Sequence, residues 1–439
     1  MNDPSHTRGV LAGARVVVGV TGSIAAYKSA ALVSALVQHG ARVDVILTEA
    51  GARFVTAATF AALTPGEVHT GMFAPRGIPH VALAKNADLL VVVPATARTL
   101  ARLAHGTADD LLALTALGTR APVLVAPAME AEMWTHPATR RNVAQLQADG
   151  VAVAGPVSGR HASGDGGAGR MLEPDALVGH IRRLLGAGGD LAGTRCLVTA
   201  GGTREPLDPV RVLGNRSSGK MGAALARAAR DRGAVVTLVT TAAPPVDDAG
   251  FAIRRVATAA EMHATVMANL ADHDLLLMAA AVADYRPVAP AERKIKKSAG
   301  GRRLTLDLER TDDIVAGAAA RRRSTGATSP VIVAFAAETE RLEERARDKL
   351  SAKGVDLVVG NLVTGDAGAS VFGSDDNEVL LVAPAQPTVE LPPMAKEQVA
   401  HHILDAARLA LDSHRRLRRG VERAERPRIT PEDSTTPGR

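Results

Sequence analysis

The run Leu197-Val198-Thr199-Ala200, then GGTREPLDPVRVLGNRSSGKMG over Gly201 to Gly222, then an alanine-rich stretch from Ala223 to Arg232, reads as strand, long glycine-rich loop and helix. Within it, Gly214 to Lys220 has the phosphate-loop spacing GxxxxGK, but Met221 follows where that motif requires a hydroxyl to reach magnesium. The loop still offers backbone N–H groups and the positive end of a helix to an anion. The expectation is a cradle for a phosphate or carboxylate, and not a P-loop ATPase.

The same device opens the chain. Arg15 to Thr21 (RVVVGVT) is a β-branched run, and Gly22 to Lys28 (GSIAAYK) starts a helix that Gly40 stops. Further strands are expected at Arg42 to Leu47, Leu89 to Val93, Val123 to Ala126 and Val151 to Ala154. In the second half they are expected at Arg195 to Ala200, Val235 to Thr240, Leu275 to Ala279, Val331 to Ala336 and Asp356 to Asn361. Helical segments separate them, among them Asp312 to Arg322 and Arg341 to Lys353. Strands alternating with helices imply parallel sheets covered on both faces, so the fold class is α/β with two doubly wound parallel-sheet domains. A helix over Pro174 to Leu185 and the linker Gly186 to Gly189 place the boundary at 188, giving domains 1–188 and 189–412. A disordered basic tail is expected over 413–439.

Composition narrows the function classes. The 439 residues are 46% hydrophobic and 22% charged, ordinary for a globular protein, with a formal charge of +6. Residues 413–439 hold eight arginines against four acids, so most of the excess lies in the tail and the folded part is nearly balanced. That argues against a nucleic-acid surface. Cys196 is the single cysteine, which excludes an intramolecular disulfide and makes a cytoplasmic location the default. No run approaches the roughly 18 residues of a membrane span.

In such sheets ligands bind off the carboxyl ends of the strands. There the first half carries Gly22 and Ser23, Thr48, Thr96, and Pro127 to Trp134 with Glu130 in it. Small hydroxyls at several strand ends suit a flavin or nucleotide phosphate, and they equally suit caps of the following helices. His80 is a candidate general base. The glycine-dense HASGDGGAGRM over His161 to Met171 forms no regular element by itself and reads as a flap or a connector. Neither half carries GxGxxG, which disfavours an NAD(P) oxidoreductase. In the second half the strand ends carry Ala280 to Arg286, Phe335 to Thr339 and Asn361. The knot Lys294 to Lys297 is either an edge guarded by lysines or part of a polyphosphate site. Lys349 and Lys353, one helical turn apart, add a positive face.

These residues resemble a known family, the bifunctional phosphopantothenoylcysteine decarboxylase and phosphopantothenate-cysteine ligase of coenzyme A biosynthesis. The resemblance runs from about Val16 to Asp412. It rests on TAGGTREPLDPVR (Thr199 to Arg211), GNRSSGKMG (Gly214 to Gly222), AAVADYRP (Ala280 to Pro287), KIKK, FAAET (Phe335 to Thr339) and SDDNE (Ser374 to Glu378). In the first half it rests on GSIAAYK, HVALAKNADL (His80 to Leu89), PAT (Pro94 to Thr96), PAMEAEMW (Pro127 to Trp134) and SGDGGAGRM (Ser163 to Met171). The resemblance implies a flavodoxin-like domain followed by a Rossmann-like ligase domain. The ligase would use CTP and magnesium to turn 4'-phosphopantothenate into an acyl-cytidylate that cysteine attacks. Lys294 would serve the activation step and Asn215 would hold the acyl-cytidylate. Asp284, Asp312, Asp313, Ile314, Val315, Phe335, Lys349 and Lys353 would surround the CTP; the magnesium ligands are not implied.

For the first half the resemblance implies an FMN-dependent decarboxylase with His80 catalytic and a homo-oligomeric assembly. Two positions depart from the pattern: Glu130 stands where the family commonly has an asparagine that holds the substrate carboxylate, and Ser163 where it has a cysteine that supplies a proton. The alternative expectation is therefore a ligase fused to a flavin-binding domain that does not decarboxylate.

Overall fold

In the computed structural model the described residues are 9–73, 77–296, 303–363 and 373–424. They gather into two compact units, one of residues 1–193 with 226–236 and 243–252, the other of 194–225, 237–242 and 253–439.

The first sheet consists of β1 (Arg15–Val20), β2 (Arg42–Leu47), β3 (Val68–His69), β4 (Leu89–Ala95), β5 (Val123–Pro127) and β6 (Ala152–Val153), ordered β3-β2-β1-β4-β5-β6 and parallel throughout. Its central strands β1, β4 and β5 are almost wholly apolar because both faces are covered. Val16, Val18 and Val20 enter one core with Leu32 and Leu36, while Val17, Leu90 and Val92 enter another with Leu100 and Leu112. The covering helices are α1 (Ala26–Gln38), α2 (Glu49–Ala52), α3 (Ala57–Leu63), α4 (Pro79–Asn86), α5 (Ala97–His105), α6 (Leu111–Gly118), α7 (Ala131–Thr135), α8 (Pro137–Ala148) and α9 (Pro174–Gly186).

The glycine-dense stretch does form a regular element, contrary to the sequence reading. β7 (Val157–Arg160) pairs antiparallel with β8 (Gly166–Arg170), and Met129 N donates to Gly169 O at 3.0 Å. A Cβ at Gly169 would lie 2.2 Å from Met129 O, so glycine is what lets the hairpin dock on the turn before α7.

The second sheet contains β9 (Arg195–Ala200), β12 (Val235–Thr240), β13 (Phe251–Arg255), β14 (Leu275–Met278), β17 (Val331–Glu338), β18 (Leu357–Leu362), β19 (Asp376–Val382) and β20 (Val389–Ala395), ordered β13-β12-β9-β14-β17-β18-β19-β20. β9, β14, β17 and β18 run parallel, and β19 and β20 extend the sheet antiparallel. Two small ribbons, β10 (Arg204–Pro206) with β11 (Val212–Gly214) and β15 (Tyr285–Pro287) with β16 (Leu308–Arg310), stand beside it. The helices are α10 (Lys220–Asp231), α11 (Ala259–Asn269), α12 (Ile314–Ser324), α13 (Leu342–Lys353) and α14 (Lys396–Ala424). The expected disordered tail is corrected in part. Its first twelve residues continue α14, whose buried stripe Val399, Ile403, Leu404, Ala407 and Leu411 recurs at helical spacing; residues 425–439 lie outside the described residues.

Among the described residues no helix is long and apolar enough to cross a membrane.

Candidate functional site

Among the described residues, a large cavity lies at the carboxyl ends of the parallel strands in each half. In the second half a cavity of about 880 Å³ is lined by Asn215, Ser217 to Gly222, Met278 to Val282, Asp284, Arg310 to Val315, Phe335 to Ala337, Lys349, Lys353, Asn361, Asn377 and Lys396. Its floor is the segment Ala280 to Asp284, fastened by hydroxyls and an amide. Thr199 Oγ1 accepts from Ala280 N at 3.1 Å and Thr203 Oγ1 from Ala283 N at 2.9 Å. Asn215 Nδ2 donates to Val282 O at 2.9 Å, and Thr311 Oγ1 to Ala283 O at 2.6 Å.

The cradle stands above this floor because α10 is pressed onto β9. A Cβ at Gly222 would meet Ala200 Cβ at 2.5 Å and Thr199 O at 2.7 Å, so only glycine admits that approach. Asp313 caps α12, its Oδ1 accepting from Ala316 N at 2.8 Å, and its Oδ2 pairs with Lys353. The N-terminal turn of α12 thus faces the cavity with its donors. Lys349 Nζ donates to Phe335 O at 2.6 Å. Burial, and next the neighbouring Lys353, lower the Lys349 pKa, against the raising influence of Asp313, Glu338 and Asp284.

Asn215, Asp284, Asp312, Asp313, Ile314, Val315, Phe335, Lys349 and Lys353 therefore converge as expected from the sequence. Lys294 does not join them. It is exposed and outside the lining, because its neighbour Ile295 is held elsewhere: Ile295 N donates to Asp208 Oδ2 at 3.1 Å and Ile295 O accepts from Arg211 Nη2 at 3.0 Å. The Arg211 guanidinium and three backbone N–H donors hold the Asp208 carboxyl far below the usual carboxylate range. Lys297 lies outside the described residues. Lys220, the lysine of the expected cradle, lines the cavity, as do Asn377 and Lys396, which had no role assigned from the sequence. Asn377 is buried and accepts from Asn361 Nδ2 at 2.7 Å, while Lys220 pairs with Asp375 at 2.8 Å.

In the first half a cavity of about 1200 Å³ is lined by Thr21 to Ala25, Lys28, Thr48, Thr96 to Thr99, Arg102, Met129, Glu130, Arg160, His161 and Arg170, among others. Gly22, Ser23, Thr48, Thr96 and Glu130 meet there. Thr48 and Thr96 also cap helices, accepting from Gly51 N at 3.1 Å and Thr99 N at 3.3 Å, so the capping reading holds for residues that also line the cavity. The N-termini of α1 and α5 open into the space, and Arg53, Arg98, Arg160 and Arg170 add positive charge. Lys28 is buried and bonds Glu173 at 2.7 Å, an ammonium contact that lowers the Glu173 pKa.

The two departures from the family pattern touch each other: Ser163 Oγ donates to Glu130 Oε2 at 2.9 Å. His161, unassigned from the sequence, places Nδ1 at 3.8 Å from the same oxygen. His80 is not brought into this lining. It is half-buried in the first turn of α4, a helix that packs against α6.

The Flavoprotein family model matches residues 4–186, and the DNA/pantothenate metabolism flavoprotein C-terminal domain matches residues 191–409. A coenzyme A biosynthesis bifunctional protein CoaBC from Mycobacterium tuberculosis is 47% identical over 89% of this chain and 96% of its own length. The chain belongs to the bifunctional coenzyme A biosynthesis family. The Bacillus subtilis member is 41% identical over 89% of this chain and 95% of its own. Among solved structures, the C-terminal domain of a coenzyme A biosynthesis bifunctional protein is 32% identical, covering 51% of this chain and 97% of that one at TM-score 0.40. A PPC decarboxylase mutant complexed with pantothenoylaminoethenethiol is 29% identical, covering 39% and 97% at TM-score 0.36. As a family member the protein is a bifunctional enzyme of coenzyme A biosynthesis with ligase and decarboxylase activities, and its first half is a flavoprotein domain.

Proposed function

We propose that the second half joins 4'-phosphopantothenate to cysteine with CTP and magnesium, through an acyl-cytidylate, and that the first half decarboxylates the product with FMN. The observation that carries the reading is the convergence of Asn215, Asp284, Asp312 to Val315, Phe335, Lys349 and Lys353 around one cavity at the strand ends.

In this reading the α12 N-terminus with Lys349 and Lys353 holds the triphosphate and meets the charge that develops on pyrophosphate as it leaves. Asn215, already bonded to Val282 O, presents its remaining polar groups to the acyl-cytidylate. Magnesium takes one or two carboxylates and otherwise phosphate oxygens and water, so it needs no cage of protein ligands. Asp284 and Asp312 are cavity carboxylates that fit this mode.

The first cavity fits FMN by its donors. The N-terminal turn of α1 with Ser23, the Thr48 and Thr96 caps and the arginines suit a phosphate on an otherwise apolar ring system. When bound, the flavin takes up and returns two electrons, so that the substrate loses its carboxylate with no net oxidation. This chain's residues bind and orient the conjugate. His80 lies outside the lining of the first cavity, and in this reading it serves the cavity of a second copy in a homo-oligomer. Ile24 and Tyr27, beside the cavity and each 63% exposed, suit such a contact. A cytoplasmic location goes with the single thiol and with a cytosolic CTP supply.

The test supplies CTP, phosphopantothenate and cysteine to the purified chain and follows pyrophosphate and carbon dioxide together. Release of both, with ATP a poor replacement for CTP, is the expected result. Pyrophosphate without carbon dioxide would leave the ligase and refute the decarboxylase.

A further inference from the structure

Lys220 and Lys396 stand in one wall of the second cavity. Lys220 opens α10 at the end of the glycine loop, after Ser217, Ser218 and Gly219, and Lys396 opens α14. The segment Gly373 to Asp376 joins the two. Lys220 Nζ donates to Gly373 O at 2.7 Å and to Asp375 Oδ1 at 2.8 Å. Lys396 Nζ donates to Ser374 O and, at 3.1 Å, to Asp376 O. Lys396 thus grips the backbone on either side of Asp375, and Asp375 reaches Lys220 with its side chain. Lys220 lines the cavity, whereas Asp375 does not and its side chain is 90% exposed, so this ion pair sits at the rim.

The charges at the rim are unequal. Burial, and next the nearby Lys220, lower the Lys396 pKa, and Asp375 and Asp376 oppose them without cancelling them. The Lys220 ammonium, by its hydrogen bond and by its charge, holds the Asp375 carboxyl below the usual carboxylate range, so Asp375 is ionised at neutral pH. A carboxylate brings one charge and two acceptor oxygens. A phosphate group brings nearly two charges and three acceptor oxygens, and here the first-turn N–H groups of α10 stand beside Lys220 to meet them.

We propose that Asp375 is a resident stand-in for a substrate phosphate: it holds the Lys220 ammonium at the rim until a phosphate group, of the acid or of the nucleotide, takes its place. The inference rests on the ligase reading of this half. No covalent bond changes; one ion pair replaces another. Magnitudes favour the exchange. An exposed ammonium–carboxylate pair shifts an equilibrium by a factor of about two to five, whereas a charge-assisted bond to phosphate contributes about tenfold or more. Lys220 is a binding residue in this scheme. Lys396 is a positioning residue that acts through the backbone of Asp375.

The test follows pyrophosphate release by the full-length protein, with KM measured separately for phosphopantothenate, CTP and cysteine. Lys220→Met keeps the apolar stem and removes the charge. It should raise the KM of one phosphate-bearing substrate about tenfold or more and leave that of cysteine unchanged. A rise for phosphopantothenate assigns the subsite to the 4'-phosphate, and a rise for CTP assigns it to the triphosphate. Asp375→Asn should lower the same KM by about two- to fivefold, and should give no such gain in a Lys220→Met background. A merely structural Asp375 would move KM the other way or not at all, and either result overturns the exchange. Wild-type KM values for both phosphate-bearing substrates in Lys220→Met overturn it as well. A wild-type chain that releases no pyrophosphate refutes the ligase reading instead. Calorimetric binding of inorganic pyrophosphate then decides the exchange alone: tighter binding to Asp375→Asn and weaker binding to Lys220→Met sustain it, and equal binding to all three proteins overturns it.

Discussion

In the second half, the eight residues expected around the CTP and Asn215, expected to hold the acyl-cytidylate, meet in one cavity of one chain, and Lys294 stays outside it. In the first half, the expected phosphate-side residues meet as well, but the expected general base His80 stays outside, while Glu130 and His161 line the cavity on or beside a docked hairpin. Both halves use strand, glycine loop and helix. They differ in what completes them: the second is closed by its own sheet and α12, the first by the β7–β8 ribbon fixed through Gly169. A site framed by strand ends can be read one motif at a time, whereas a site finished by a docked ribbon depends on a contact that no motif announces.

The largest expected effect separates the halves. Lys349→Ala should lower pyrophosphate release by about 10²–10³-fold and leave carbon dioxide release from supplied phosphopantothenoylcysteine unchanged; parallel loss of both would mean that the two cavities do not work independently. Lys294→Ala should abolish the same release although the residue lies outside the lining of the second cavity, and full activity would remove it from the reaction.

Next comes the first half. His80→Gln should cut carbon dioxide release roughly 10²–10⁴-fold with the flavin colour retained. Mixing His80→Gln chains with chains blocked at the flavin site by Gly22→Phe should recover activity that neither parent has. No recovery after verified subunit exchange would count against a shared site.

Gly169→Ala should act on one half only. The added methyl meets Met129 O and forces the hairpin off, so thermal unfolding and flavin retention should both suffer while ligation persists. If flavin retention and carbon dioxide release stay at wild-type levels, the hairpin is not what completes the first cavity.

The smallest effect concerns pH. His414 faces Thr328 O through Nδ1 and Asp356 Oδ1 through Nε2, the latter at 3.3 Å, and the bond to Asp356 raises its pKa above the ordinary value. A raised folded pKa stabilises fully below the unfolded value of about 6.5 and is lost as pH rises through the folded value. Melting temperature should therefore fall slightly across that window, by no more than about 2 °C, and His414→Gln should flatten the fall; an unchanged slope would dismiss the contact.

The sheets were legible because Val16 to Val20, Leu89 to Val93 and Leu275 to Met278 are apolar on both faces, a pattern that parallel burial alone produces. The cavity in the second half was legible because its residues follow strand ends directly. Three things were hidden. β8 has only Gly166, Gly167, Ala168, Gly169 and Arg170, with almost no side chain to signal a strand; its partner and its docking site supply the reason for its shape. His161 has no periodicity, and its meaning comes from Gly167 and Glu130, the latter 31 positions earlier in the chain. The extension of α14 beyond Asp412 was masked by arginines, which helices tolerate as well as tails do.

Asn361 on the last parallel strand bonds Asn377 on β19, and Lys396 at the start of α14 donates to Ser374 O and Asp376 O while lining the same cavity. The antiparallel extension is therefore a wall of the nucleotide site as well as a cover for the sheet edge. For anyone cutting the chain into working fragments, the minimal ligase is set by this wall: a piece ending after β18 would keep every parallel strand and the glycine loop, yet lose the side of the vessel that Asn377 and Lys396 provide.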